Sequence, residues 1–383
     1  TGSATSPTMT EIAWNHADNP FKDIDVGMWA RVGFADLDAD GDQDAFVTDY
    51  GDRKITYFKN TGTSSSGVPQ MTKMEWNHAG NPFFGITGAD YGTAFADLDM
   101  DGDLDAFTCH ADETSIAFYE NTGTSSNMNG GSAPSVLARI DGDQVANPFY
   151  LASIGAANNA IAFADLDGDG FVDGFLGIGN GGGKIGMFKN TGTSSAALMT
   201  KVEKSNEDNP FNPTATGAYT IPPSQTGPTI AFVDMDGDGD QDAFVGNSYF
   251  KNTGTTSAPS LTYIPFDNAL NPFKNFNGAS LLGGMFPAFA DLDGDGDQDA
   301  WRGKYYFKNT GSATSPTMTE IAWSHANNPF KDATDLAIQS GLAFADLDGD
   351  GDQDAVGSNA GKLIYFKNTG TRTSPTMTEI AGD

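Results

Sequence analysis

Thirteen residues from Phe34 to Phe46, FADLDADGDQDAF, carry five aspartates at every second position. The stretch recurs as FADLDMDGDLDAF from Phe95, FADLDGDGFVDGF from Phe163, FVDMDGDGDQDAF from Phe232, FADLDGDGDQDAW from Phe289 and FADLDGDGDQDAV from Phe344. Carboxylates this close repel one another and destabilise a compact chain unless positive charge sits among them. Acids at loop positions one, three, five and nine, with glycine at six for the sharp turn, gather oxygens around one centre. A hard cation taking six to eight oxygens suits that cage, and calcium is the expected occupant, about six ions per chain. No His or Cys lies in any of the six loops, which disfavours zinc, and magnesium keeps more of its own water than so crowded a cage allows.

The expected ligands of the first loop are the side chains of Asp36, Asp38, Asp40 and Asp44 and the backbone carbonyl of Asp42. The corresponding sets are Asp97, Asp99, Asp101, Asp103 and Asp105, then Asp165, Asp167, Asp169, Phe171 and Asp173. They continue as Asp234, Asp236, Asp238, Asp240 and Asp242, then Asp291, Asp293, Asp295, Asp297 and Asp299, and last Asp346, Asp348, Asp350, Asp352 and Asp354. Phe171 stands where the other loops have an acid at position seven. A backbone ligand tolerates that change and a side-chain ligand does not.

The opening of each loop resembles an EF-hand, but position twelve of the first copy is Val47 rather than glutamate. The flanks are short apolar runs without helical period, so each loop is expected to join two strands. The pattern DxDxDGxxD between strands, recurring about every sixty residues over essentially the whole chain, resembles the FG-GAP or VCBS repeat of integrin-type β-propellers. The resemblance implies an all-β fold: one six-bladed β-propeller of four-stranded antiparallel blades, with a calcium loop in each blade.

The rest of each repeat agrees with blades. Thr-Gly turns recur at Thr1, Thr61, Thr122, Thr191, Thr253 and Thr310, and Asn-Pro-Phe recurs at Asn19, Asn81, Asn147, Asn209, Asn271 and Asn328. Proline after asparagine breaks regular structure, which makes this a connector with its phenylalanine tucked beneath. Four strand-like pieces per unit define repeats at 1–60, 61–121, 122–190, 191–252, 253–309 and 310–368 with a partial seventh at 369–383, all in one domain. Inserts from Ser125 to Ser135 and from Asn212 to Pro228 are loops by composition.

Both ends offer the same strand. TSPTMTEIAW from Thr5 matches TSPTMTEIAW from Thr314, and TSPTMTEI returns from Thr373, so seven strands of this type accompany six acid loops. In propellers of this sort a strand from one terminus completes the blade made by the other, which leaves one strand spare. A spare strand is a template for another chain, and head-to-tail self-association is the expectation it raises.

The loops also explain the charge. They hold 29 of the 51 acids, which leaves 22 against 20 Lys and Arg, and six divalent ions would bring the net charge from -31 to about -19. No basic patch or aromatic RNA-reading motif is present, so nucleic acid is not an expected partner, and no apolar run reaches membrane-spanning length. With Cys109 as the only cysteine there is no internal disulfide, and bound calcium is expected to replace such staples. Carboxylate-rich calcium loops are most useful where calcium is plentiful, so the protein is expected to be secreted, with Thr1 beginning either a mature form or an expressed piece of one.

Few other residues point to chemistry. His16, His78 and His325 recur once per repeat, which suggests packing roles, and Trp14, Trp76 and Trp323 suit either inter-blade packing or sugar stacking. Gly179 to Lys184, GNGGGK, lacks P-loop spacing and is expected to be a hairpin turn. No Gly-x-Ser-x-Gly elbow or unrepeated catalytic cluster appears, so an enzyme is not expected. A structural or adhesive role is the first expectation, and a lectin-like module binding glycan or a surface protein is the second.

Overall fold

The computed structural model describes residues 9–12, 14–27, 30–38, 40–49, 53–65, 67–84, 89–110, 116–121, 137–140, 147–149, 160–178, 184–193, 197–202, 209–211, 230–245, 248–255, 257–265, 267–274, 288–302, 305–312, 315–322, 324–325, 328–330, 342–359 and 361–368. Among these every regular element is a strand, and the strands form six four-stranded antiparallel sheets. After β1 (Met9–Ile12), the first blade is β2 (Arg31–Ala35), β3 (Asp44–Asp49), β4 (Lys54–Thr63) and β5 (Pro69–Met74). The second is β6 (Ala89–Ala96), β7 (Asp105–His110), β8 (Ile116–Asn121) and β9 (Leu137–Ile140), and the third is β10 (Ala160–Ala164), β11 (Asp173–Ile178), β12 (Lys184–Asn190) and β13 (Met199–Val202). The fourth is β14 (Ile230–Val233), β15 (Asp242–Val245), β16 (Ser248–Asn252) and β17 (Leu261–Ile264), and the fifth is β18 (Ala288–Ala290), β19 (Asp299–Arg302), β20 (Tyr305–Asn309) and β21 (Met318–Ile321).

The sixth blade draws on both ends of the chain. It runs β22 (Leu342–Ala345), β23 (Asp354–Asn359), β24 (Lys362–Asn368) and then β1, with Met9 opposite Asn368 and Ile12 opposite Tyr365. The N-terminal strand therefore closes the ring. The architecture is the expected six-bladed propeller, with blade and sequence repeat offset by one strand, because each PTMTEI-type strand joins the blade before it. The inserts 125–135 and 212–228, the turn at 179–183 and the C-terminal copy 369–383 lie outside the described residues.

Burial shows why these strands stack as blades. Strands β15 and β23 are buried almost throughout rather than on alternate residues, as expected of sheets covered on both faces. Six hydrophobic clusters fill the six junctions between neighbouring blades, the junction of the sixth with the first included. At four junctions the phenylalanine before the acid loop meets an aromatic ring on the second strand of the preceding blade. The pairs are Phe95 on Phe46 at 4.6 Å, Phe163 on Phe107 at 4.7 Å, and Phe232 on Phe175 and Phe289 on Phe244 at 4.8 Å.

The Asn-Pro-Phe connector is a clip. Asn147 Nδ2 donates to Ile116 O at 3.0 Å and Ile140 O at 2.7 Å, bridging the third and fourth strands of its blade, while its Oδ1 accepts the Phe149 N–H at 2.8 Å. Asn81 repeats the arrangement on Ile55 O and Met74 O, and Asn19 on Leu363 O and Ile12 O. The phenylalanines that follow, Phe21, Phe83 and Phe149, are buried as the sequence suggests. Asn147→Ala is expected to destabilise the fold by about 2–3 kcal/mol in chemical denaturation, because two buried carbonyls lose their donor. A loss under about 0.5 kcal/mol would show that the clip carries no weight.

Candidate metal centre

Each acid loop is wound by its own first aspartate. Asp36 Oδ1 accepts the Asp40 N–H at 3.1 Å, and Asp36 Oδ2 accepts the Gly41 N–H at 2.9 Å. Asp40 Oδ1 in turn accepts the Asp42 N–H at 3.0 Å. The bond from the position-six glycine to the first aspartate recurs on Asp97, Asp165, Asp234, Asp291 and Asp346, at 2.9 to 3.1 Å. The turn needs a left-handed residue at position six, and Gly41, Gly102, Gly170, Gly239, Gly296 and Gly351 all have φ between 90° and 95°. Phe171 N–H donates to Asp169 Oδ1 at 2.9 Å as its aspartate counterparts do, so the side chain at position seven does not set the backbone path.

This winding brings positions one, three and five together. Asp36, Asp38 and Asp40 place one oxygen each within 4.8 Å of one another, and so do Asp97/Asp99/Asp101, Asp165/Asp167/Asp169, Asp234/Asp236/Asp238 and Asp291/Asp293/Asp295. In five loops the position-three Oδ1 is buried without a hydrogen-bond partner: Asp38, Asp167, Asp236, Asp293 and Asp348. A buried carboxylate oxygen left unpaired is costly, and a shared partner for three converging oxygens is a cation. The donor set is wholly hard oxygen, so the triads fit an oxygen-preferring divalent ion such as calcium.

Sequence reasoning missed the protein's own counter-charge. Lys59, Lys189, Lys251, Lys308 and Lys367, on the third strand of their blades, pair through Nζ with Asp38, Asp167, Asp236, Asp293 and Asp348. The same lysines lie 3.3 to 3.6 Å from position five in the first, third, fourth and fifth loops. At the corresponding place the second blade has Glu120, opposite Ala138. The signal was present as the recurring Phe-Lys-Asn-Thr-Gly, but only strand pairing brings that lysine against the loop.

Position nine behaves differently from the triad. Asp44, Asp105, Asp173, Asp242, Asp299 and Asp354 are all buried, and each accepts through Oδ1 the backbone N–H of an Asn near the end of the third strand, at 2.7 to 2.9 Å. In four blades a tyrosine hydroxyl, from Tyr57, Tyr249, Tyr306 or Tyr365, donates to Oδ2 at 2.7 Å. Met187 holds that place in the third blade, and Asp173 Oδ2 is left without a partner. These aspartates thus tie the loop to its own sheet. Burial pushes Asp44, Asp173 and Asp242 up to about 7, and Asp105 and Asp299 up to about 8.

The loops are also stitched across blade junctions. Asn60 Nδ2 of the first blade donates to Leu347 O in the loop of the sixth at 3.0 Å, and Thr63 Oγ1 donates to Asp348 O at 2.8 Å. Asn190 Nδ2 donates to Leu98 O at 3.0 Å between the third and second blades.

The histidines and tryptophans stand apart from the triads. His16 Nδ1 accepts the Asp18 N–H and His78 Nδ1 the Gly80 N–H, so both lock turns. Lys362 lies 4.3 Å from the Trp14 ring and Lys54 5.0 Å from that of Trp76, covering one face of each. Trp323 lies outside the described residues.

Fold and site together define a six-bladed propeller with an acidic triad at a strand-to-strand loop of each blade. No protein-family model matches the chain, and no curated protein matches it, so the FG-GAP and VCBS likeness rests on the loop pattern. Three solved structures are similar to the chain at low identity, each with a TM-score under 0.5. An Agrocybe aegerita lectin described as recognising non-reducing terminal N-acetylglucosamine is 17% identical, with 92% of this chain and 79% of that one covered at a TM-score of 0.48. The V. cholerae biofilm matrix protein Bap1 is 15% identical at a TM-score of 0.30, matched over 90% of this chain but only 45% of its own length. BBS1N, in a complex with ARL6DN, is 11% identical at 0.38, with 89% and 93% covered.

The buried aspartates set the expected pH response of the metal-free protein. Their folded-state pKa lies above the unfolded value, so their contribution is fully present below about pH 4 and is lost as pH rises through about 7 to 8. With chelator present, the melting temperature is expected to be lower at pH 8 than at pH 5, followed by circular dichroism. A melting temperature that rises over that interval would contradict this.

Proposed function

We propose that this chain is a secreted, calcium-stabilised β-propeller that serves as a structural or adhesive building block and associates head to tail through a terminal strand. The observation that carries the metal part is the unpartnered, buried position-three oxygen recurring inside the triads. The position-one, -three and -five side chains and the position-seven carbonyl are the proposed ligands, with position nine completing each set or bracing it. The bonds from Asn60 and Asn190 into a neighbouring blade's loop mean that fixing those loops also stiffens the junctions between blades. A disc stiffened in this way, with large bound charge and no unrepeated catalytic cluster in its sequence, suits scaffolding better than catalysis. Millimolar calcium outside cells suits sites of this class, some of which bind no more tightly than about 10⁻⁴–10⁻³ M.

A lectin-like module is the second reading, favoured by the half-buried Trp14 and Trp76 recurring at equivalent places. Their lysine-covered faces make that reading the weaker of the two.

Each site held at one hundred times its dissociation constant adds about 2.7 kcal/mol to the folded state. Chelation is therefore expected to lower the melting temperature by more than about 10 °C, restored by calcium and not by sodium at equal ionic strength. Electron microscopy of the same samples should show ordered fibres with calcium that disperse with chelator. An unmoved melting temperature would remove the metal reading. Isolated discs that score on a glycan array would instead favour the lectin-like reading.

A further inference from the structure

The outer edge of β24 has one place for a fourth strand, and the sequence carries two copies of the segment that fits it. The occupant is Met9–Ile12, with Met9, Thr10, Glu11 and Ile12 opposite Asn368, Lys367, Phe366 and Tyr365. The same tetrapeptide, MTEI, returns at Met377 to Ile380. In the fifth blade MTEI is reached directly from the third strand, with Met318 opposite Asn309 and Ile321 opposite Tyr306. Nine positions separate Asn309 from Met318, Asn190 from Met199 and Asn252 from Leu261, and nine separate Asn368 from Met377.

The determinants of that hairpin are repeated at the C-terminus. Residues 309–321 read NTGSATSPTMTEI and residues 368–380 read NTGTRTSPTMTEI, differing only at Ser312/Thr371 and Ala313/Arg372. In the fifth blade Asn309 Oδ1 accepts the N–H groups of Gly311 and Thr317 at 3.1 Å, and Thr310 N–H donates to Thr317 O at 2.9 Å. A Cβ on Gly311 would lie 2.2 Å from Ser315 O and 2.6 Å from Thr317 N, so this turn demands glycine. Asn368, Thr369, Gly370, Ser374, Pro375 and Thr376 supply the same residues in the same order.

We infer that the β24 edge is an exchange site with two alternative occupants: the N-terminal strand Met9–Ile12, and the C-terminal segment Met377 to Ile380 in the same register. The C-terminal occupant closes a short local hairpin, whereas β1 must close a loop of nearly the whole chain, which costs more entropy. The N-terminal occupant offsets this with anchors beyond the strand. Asn19 Nδ2 reaches Leu363 O, Val26 N–H donates to Gly361 O at 2.7 Å, Phe21 is buried against Phe58, and Trp14 packs under Lys362. After the C-terminal MTEI the sequence continues Ala381-Gly382, where the N-terminal one continues Ala13-Trp14. Opposed advantages of this kind allow one strand to hold the edge and the other to displace it. The partner implied is a second copy of this chain, whose N-terminal strand and anchors replace a C-terminal placeholder; only this last step rests on the self-association proposed above.

The test uses the whole chain in a Cys109→Ala background with Lys367→Cys, combined with either Thr378→Cys or Thr10→Cys, and reads disulfides by non-reducing gel and mass mapping. The expected result is a 367–378 crosslink within single chains and a 10–367 crosslink that joins chains as concentration rises. In a second arm a labelled peptide of residues 5–14 is titrated into a chain lacking 1–13 and into one lacking both 1–13 and 369–383. If the C-terminal segment holds the edge about nine times in ten, binding to the first is about tenfold weaker. Absence of the 367–378 crosslink, or equal peptide affinity for the two truncated chains, overturns the inference. A 367–378 crosslink with 10–367 crosslinks only within chains supports it and removes the self-association proposal instead.

Discussion

Three carboxylate oxygens held within 4.8 Å of one another, in one blade after another, are the constraint on which the rest of this structure depends. The loop cannot relax away from the conflict, since its first aspartate is committed to backbone N–H groups of the turn and its last is buried in the sheet. The charge must be met from outside the carboxylates. Five blades place a lysine against position three and leave one oxygen of that same aspartate unpaired, so the ammonium meets only part of the demand. A divalent cation, as proposed above, would meet more of it than one ammonium does. The second loop has Glu120 in place of that lysine.

The same constraint links site to fold. Loop carbonyls accept hydrogen bonds from the next blade, and the loop's buried Leu or Met, such as Leu37, Leu98 and Met235, enters the hydrophobic cluster at that junction. Loop geometry and blade packing therefore depend on each other around the ring. The ring's distinctive point is the sixth blade, whose fourth strand comes from the far end of the chain and is held by Asn19, Phe21 and Val26 as well as by its own ladder.

Much of this was legible in the sequence because it is local. The position-six glycines, the alternating acids and the Asn-Pro-Phe clip lie at fixed spacings: the glycines take the left-handed turn, the acids at positions one, three and five converge, and the phenylalanines are buried. What the sequence concealed depends on strand pairing across hairpins of variable length. Asp44 and Tyr57 are thirteen positions apart, Asp242 and Tyr249 seven, and Asp354 and Tyr365 eleven, yet each pair makes the same 2.7 Å bond. The lysine two positions after each tyrosine is hidden for the same reason. The offset between repeat and blade was hidden too, since a strand's sequence does not say which neighbour it joins.

Counting bound ions per folded chain tests the central claim most directly. Native mass spectrometry of the protein exchanged into calcium, beside a sample in excess magnesium, reads that stoichiometry without reference to any activity. The account predicts about six calcium ions per chain, retained over magnesium, since six loops repeat one oxygen cage suited to calcium. A folded chain that carries no calcium, or a single ion, would contradict it.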